Sequence, residues 1–221
     1  MGALSLTFNP KYREPFQPLV EEVSFSPYGD VDALQNVVDK DTAFVILEPI
    51  QGESGIHVPP EGFLQEVRKI CDENDSLLIF DEIQSGLGRT GSMWASEHWK
   101  TVPDIMCLAK GIAGGVPMGV TLVRPDILAV MKKGEHSSTF GGNPLACAAG
   151  TATLQALTQD GLIENAKSVG EKFLQGLEEL KSKHKIIREV RGKGLMIGVE
   201  LKFEVKDILM EGIKNGLLLL Y

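Results

Sequence analysis

Three short apolar runs constrain this chain more than any other feature, because each ends in an ionisable residue and the ends recur at nearly equal intervals. The runs are Ala43-Phe-Val-Ile-Leu-Glu48, Ser76-Leu-Leu-Ile-Phe-Asp81 and Ile105-Met-Cys-Leu-Ala-Lys110. A continuous apolar run bounded by turn residues is the pattern of a strand buried on both faces, as in a parallel sheet. Glu48 and Asp81 lie 33 residues apart, and Asp81 and Lys110 lie 29 apart. Both spacings match a βαβ unit of about 30 residues. Residues 61–74 fill the first crossover, with Phe63, Val67, Ile70 and Cys71 on one helical stripe. Met118–Val123 reads as a further strand closed by Arg124-Pro125. The fold class is therefore α/β, a mostly parallel sheet between helices.

The flanking segments differ. Residues 1–30 carry Pro10, Pro15, Pro18 and Pro27 and read as extended surface connections. A short helical pattern begins at Asp32. After Pro144 the chain is Ala-rich and helical to about residue 158, and 162–184 form an amphipathic helix. Residues 186–190 and 195–201 read as paired strands around Gly192-Lys-Gly194. A helix over 207–215 and the start of a strand over 217–220 follow. We expect a large α/β domain over 1–145 and part of a smaller α+β domain over 146–221.

Composition narrows the function. The 22 basic and 30 acidic side chains give a net charge of −8, which argues against a broad nucleic-acid surface. With 43% hydrophobic residues the chain has enough apolar surface to fold. Cys71, Cys107 and Cys147 form no CxxC pair and read as small core residues. His57, His98, His136 and His184 share no ligand spacing, so no metal site is expected. No apolar run approaches the roughly 20 residues of a membrane span, and the N-terminus lacks a secretory pattern. The expected setting is the cytoplasm.

Glu48, Asp81 and Lys110 would all project from the carboxyl edge of the sheet, where open α/β sheets bind ligands. A lysine set there against an apolar wall suits Schiff-base chemistry. Two glycine segments offer other readings. Gly86-Leu-Gly88-Arg-Thr-Gly91 fits GxGxxG, but four residues separate it from the strand and no helical pattern opens at Gly91. It also nearly fits a phosphate-binding loop, but Ser92 stands where the lysine belongs. Residues 136–144, His-Ser-Ser-Thr-Phe-Gly-Gly-Asn-Pro, either present donors to a phosphate or cap a helix.

The ordered motifs Leu47-Glu-Pro-Ile-Gln-Gly-Glu53-Ser-Gly55, Phe80-Asp-Glu-Ile-Gln84 through Gly91, Leu108-Ala-Lys110-Gly and Ser138-Thr-Phe-Gly-Gly-Asn-Pro144 resemble class III pyridoxal-phosphate aminotransferases. The likeness is to the acetylornithine/ornithine or acylated-lysine-precursor branch and runs over practically the whole chain. It implies the type I aminotransferase fold. It makes Lys110 the Schiff-base lysine and proton carrier, and Asp81 the partner of the pyridine nitrogen. Glu82, Ile83 and Gln84 would border the cofactor, Gln84 at its phenolic oxygen. Thr139 would contact the phosphate across a homodimer, Ser138 would lie beside substrate, and Glu48 would support the site. Glu53 would gate the pocket towards a second carboxylate by pairing with an arginine nearer the C-terminus.

What the resemblance implies is transfer of the terminal amino group of an N-acylated ornithine or lysine precursor to 2-oxoglutarate, in arginine or lysine biosynthesis. Free ornithine and 4-aminobutyrate are the alternative donors. A non-catalytic chain acting through subunit pairing is the alternative of another class, and a nucleotide-binding oxidoreductase a third. The family's glycine/serine phosphate loop, its stacking aromatic and its C-terminal arginine have no counterpart here, so a central fragment is expected. Neither nucleic acid nor membrane is expected as a partner.

Overall fold

A computed structural model describes residues 1–220. The chain opens with one-turn helices α1 (Gly2–Ser5) and α2 (Pro10–Arg13) and a 3-10 turn at Glu14–Phe16. This corrects the extended reading of residues 1–30. Pro10 and Pro15 sit in first helical turns, where the missing N–H is no loss and the fixed φ favours the turn. Helix α3 (Val31–Gln35) is capped by Asp30, whose carboxylate accepts from the Ala33 N–H.

The central sheet has the order β1-β2-β3-β4, with β1 (Phe44–Leu47), β2 (Leu77–Asp81), β3 (Ile105–Leu108) and β4 (Val120–Val123). β1, β2 and β3 are parallel, with Leu47 opposite Phe80 and Asp81 opposite Cys107. β4 runs antiparallel to β3, with Leu108 opposite Val120. Helix α4 (Phe63–Asn74) is the β1–β2 crossover. Its stripe of Phe63, Leu64, Val67, Ile70 and Cys71 packs with Ile50, Leu78, Phe80 and Trp99 in the main core. Fully burying a side chain such as Leu64 contributes about 1.5–3 kcal/mol.

After the short α5 (Pro125–Leu128), two long helices follow, α6 (Pro144–Gln159) and α7 (Leu162–Lys183). Asn143 caps α6 by accepting from the Ala146 N–H at 2.9 Å, and Pro144 takes the first helical position. The small residues of α6 let it approach the segment after β3. A Cβ on Gly150 would stand 3.2 Å from Met118 Sδ and 3.5 Å from the Ile112 carbonyl. β5 (Ile187–Lys193) and β6 (Met196–Leu201) form an antiparallel hairpin, and Met196 joins the main core. Helix α8 (Lys206–Lys214) is capped by Asn215 and followed by Gly216, which has φ +79°. Residues 217–220 form no strand, contrary to the sequence expectation, because no strand among the described residues is placed to pair with them. Of the cysteines expected in the core, Cys71 is buried there, whereas Cys107 is half-buried and Cys147 is exposed on α6.

Candidate active site

Parallel pairing aligns the carboxyl ends of β1, β2 and β3, and this brings Glu48, Asp81 and Lys110 to one edge of the sheet. Side chains alternate along a strand, and β2 shows what that does. Leu78, Phe80 and Glu82 are buried on one face, while Leu77, Ile79 and Asp81 share the other. Asp81 therefore stays available at the edge. Its Oδ1 accepts from the Ile83 N–H at 3.0 Å, turning the chain sharply after the strand. Among the described residues its Oδ2 accepts no hydrogen bond. Glu82 points away from the edge. Its carboxylate is wholly buried and accepts from Ser85 Oγ at 2.6 Å and from the N–H groups of Ala95 at 3.1 Å and Ser96 at 2.9 Å.

Lys110 opens a 3-10 turn, Lys110–Ala113, with φ +46°. A non-glycine residue in this left-handed region costs about 1–2 kcal/mol, so the surrounding packing holds it there. Ile112 and Ala113 anchor the turn in a second core with Met106 and Leu108. Lys110 Nζ donates to Gln84 Oε1 at 3.0 Å and lies 4.0 Å from Glu53 Oε1. The apolar wall expected from the sequence is incomplete, because the Lys110 side chain is 53% exposed and both of these neighbours are polar.

Glu53 comes from the turn after β1. Its neighbour Gly52 donates its N–H to Glu48 Oε2 at 2.9 Å. Gly52 also leaves room for the Gln84 carboxamide, since a Cβ there would lie 2.2 Å from Gln84 Oε1 and push it aside. Glu48 is held above the usual carboxylate range, chiefly by burial and further by the charges of Asp81 and Glu53, against the Gly52 N–H and Lys110. Its titration thus registers each of these charged residues. Tyr28, which the sequence reading did not single out, donates its hydroxyl to the carbonyls of Glu48 and Pro49. Burial and the Glu48 charge push the Tyr28 phenol upward.

A cleft of about 520 Å³ opens beside Lys110, bordered by Ile83, Gln84, Arg89, Leu157 and Ile197 among others. Ser138 and Thr139 are not on its walls. They sit exposed on the loop before α6, where Ser138 Oγ accepts from the Gly141 N–H at 3.1 Å. One chain thus brings Glu48, Glu53, Asp81, Gln84 and Lys110 together, but not Thr139 or Ser138. The Gly86–Gly91 segment opens no helix at Gly91 and instead seats other parts of the chain. A Cβ on Gly91 would come within 2.8 Å of Lys167, and one on Gly194 within 2.4 Å of Thr90.

A lysine amine, a carboxylate and a carboxamide at adjoining strand ends of an α/β sheet define a site for carbonyl–amine chemistry. The chain belongs to the class-III aminotransferases, whose family model matches residues 1–221. Members of that family depend on pyridoxal phosphate and have the type I aminotransferase fold. The chain is 52% identical over 201 residues to acetylornithine aminotransferase of Methanopyrus kandleri, covering 91% of this chain and 51% of the relative. It is 48% identical to acetylornithine aminotransferase of Caldanaerobacter subterraneus, covering 99% of this chain and 56% of the relative. Ornithine aminotransferase from Toxoplasma gondii, whose crystal structure holds pyridoxal phosphate at partial occupancy, superposes with a TM-score of 0.94 at 38% identity. That match covers 99% of this chain and 53% of the other. The chain spans about half the length of the curated relatives it matches.

Proposed function

We propose that this chain carries the cofactor-bonding lysine of an aminotransferase that moves the terminal amino group of an N-acylated ornithine or lysine precursor to 2-oxoglutarate. The observation that carries the reading is the placement of Lys110, Asp81 and Gln84 at adjoining strand ends, with Lys110 Nζ 3.0 Å from Gln84 Oε1. The names of the relatives support the ornithine side and a place in arginine biosynthesis.

The residues present fit pyridoxal phosphate. Among the described residues one Asp81 carboxylate oxygen has no partner, which suits it to the N–H⁺ of a pyridine ring. Gly52 leaves space for the Gln84 carboxamide beside Lys110. When bound, the cofactor supplies an aldehyde that bonds amines and a ring that withdraws electrons from the neighbouring carbon. Lys110 would bond it covalently and, once released, carry the proton between carbons. Asp81 would keep the proton on the ring nitrogen, and Ile83 and Gln84 would border the ring. Glu82 takes no direct part in this reading and instead fixes the chain behind Asp81. Glu48 supports Gly52, and Glu53 selects among substrate carboxylates.

Thr139 and Ser138 lie outside the cleft of their own chain, which favours a homodimer in which each copy offers Thr139 to its partner's phosphate site. We place the enzyme in the cytoplasm. No helix among the described residues is long and apolar enough to cross a membrane.

Addition of pyridoxal phosphate should give a visible absorbance band, and borohydride should then fix the cofactor's mass on Lys110. Lys110→Ala should abolish both. A full-length enzyme that stays colourless when supplied with pyridoxal phosphate refutes the proposal.

A further inference from the structure

We propose that Arg191 and Gly198, facing each other across the β5–β6 hairpin, form a socket that sets the position of Glu53 against Lys110. Arg191 is then a positioning residue for the substrate-selecting carboxylate, an assignment that rests on Lys110 being the cofactor-bonding lysine.

Glu53 is 88% exposed, and the contact described above, 4.0 Å to Lys110 Nζ, is the one ion pair it makes among the described residues. Its place therefore comes from the backbone of its turn. Gln51 and His57 close that turn by exchanging backbone hydrogen bonds of 3.0 and 3.1 Å. At its far side Gly55 has φ +111° and Ile56 φ +58°. For a β-branched residue such as Ile56 the left-handed conformation is an outlier that needs outside support.

The hairpin supplies that support. Arg191 Nε donates to the Gly55 carbonyl at 2.9 Å and the Ile56 carbonyl at 3.0 Å. Its side chain is only 14% exposed, and its Nη1 is paired with Glu189 and Glu200 at 2.8 Å each. Gly198 stands opposite Arg191 in the hairpin register. A Cβ there would lie 2.9 Å from the Gly55 carbonyl oxygen and 3.0 Å from Ile56 Cβ. Two facing residues, one by hydrogen bonds and one by absence of bulk, thus grip the same two residues of the turn. The other side of the turn touches Glu48 and Gln84 through Gly52. A shift of the hairpin would reach Glu53 before it reached the strand ends.

The test compares the wild type with Glu53→Gln, Arg191→Ala, Gly198→Ala and the double variant Arg191→Ala/Glu53→Gln. Arg188→Ala is the control, because Arg188 also pairs with Glu200 but is 60% exposed. Gly198→Ala leaves every charge in place, so the test survives if Arg191→Ala fails to fold. Hydrogen exchange of residues 51–57 should accelerate at least about tenfold in Arg191→Ala and Gly198→Ala, while β2 is unchanged.

The second readout is the pH midpoint of the visible absorbance that pyridoxal phosphate gains on Lys110. A carboxylate nearby favours the protonated chromophore, so Glu53→Gln should lower the midpoint by about half a pH unit. Asp81 and Glu48 are intact in every variant. Arg191→Ala and Gly198→Ala should match that shift, the double variant should add nothing, and Arg188→Ala should behave as wild type. Unchanged exchange overturns the socket. Faster exchange with a wild-type midpoint, where Glu53→Gln does shift, overturns the positioning role and leaves the cofactor assignment standing. A full-length wild type that stays colourless with pyridoxal phosphate refutes that assignment and the role of Arg191 with it.

Discussion

Replacing Glu82 separates a residue that borders a cofactor from one that holds the chain behind it. Its two carboxylate oxygens accept from Ser85 Oγ, from the Ala95 N–H and from the Ser96 N–H. Ala95 and Ser96 open the 3-10 turn Ala95–Trp99, so their N–H groups lack partners within the turn. Both residues are buried, and water cannot replace the carboxylate. In Glu82→Gln the better amide orientation keeps Ser85 and Ala95 but turns its NH₂ towards the Ser96 N–H. One buried donor left unsatisfied costs about 1–3 kcal/mol. Glu82→Ala strands both backbone donors and leaves a cavity, for a total of about 3–5 kcal/mol. Urea unfolding followed by the fluorescence of Trp94 and Trp99, which flank these donors, measures both losses. The urea m-value should stay constant. Cofactor absorbance in native buffer should match wild type for any variant that remains folded. A Glu82→Gln chain within about 0.5 kcal/mol of wild type would show that the Ser96 N–H does not depend on the carboxylate. Loss of cofactor binding at unchanged stability would place Glu82 at the cofactor instead.

Gly52→Ala should act the other way, because its Cβ would meet the movable end of Gln84 at 2.2 Å. Gln84 retreats from Lys110, stability changes by less than about 1 kcal/mol, and cofactor affinity falls about fivefold to tenfold in an absorbance titration. Equal affinity in the two chains would mean that Gln84 does not assist binding. Glu48 predicts a pH effect. Its folded form holds a proton above the range in which the unfolded chain releases it, so its contribution is complete below the unfolded value and is lost as pH rises through the folded one. Glu48→Gln should therefore gain stability relative to wild type between pH 4 and pH 7, and urea midpoints that keep a constant difference would contradict this. Thiol labelling at pH 8 should find Cys147 first, since burial pushes the Cys71 thiol up to about 11 and seals it from reagent. Rapid native labelling of Cys71 would show that α4 opens readily.

The strands were legible because burial on both faces demands uninterrupted apolar runs, and β1, β2 and β3 have them. The direction of β4 was not legible, since a short run such as Val120-Thr-Leu-Val123 reads alike either way. The connection decides it. Between Leu108 and Val120 the chain makes one 3-10 turn, too short for the helical crossover that a parallel strand needs. Glu48, Asp81 and Lys110 were visible as the ends of strands, whereas Gln84 came only from the family resemblance. Glu82, expected from the resemblance to border the cofactor, is instead carried onto the core face by the alternation that buries Leu78 and Phe80. Arg191 was hidden because it acts on Gly55 across 136 residues of sequence, a distance at which local patterning says nothing.

Glycines join the segments after the strand ends to the β5–β6 hairpin. The Gly86–Gly91 segment fits a nucleotide fingerprint because such fingerprints mark places where another body must approach the backbone. Here the approaching bodies are Lys167 on α7, beside Gly91, and the hairpin tip at Gly194. The Leu195 N–H donates to the Arg89 carbonyl at 2.9 Å and fastens that tip. Gly198 does for Gly55 what Gly194 does for Thr90. The hairpin thus meets both segments that follow strand ends, one after β1 and one after β2, and each contact lies within a few residues of Glu53 or Gln84. Chemistry at this site belongs to the sheet, whereas its spacing depends on a hairpin that bears none of the reacting groups. Substitutions at Gly194 or Gly198 should therefore disturb the site without touching it.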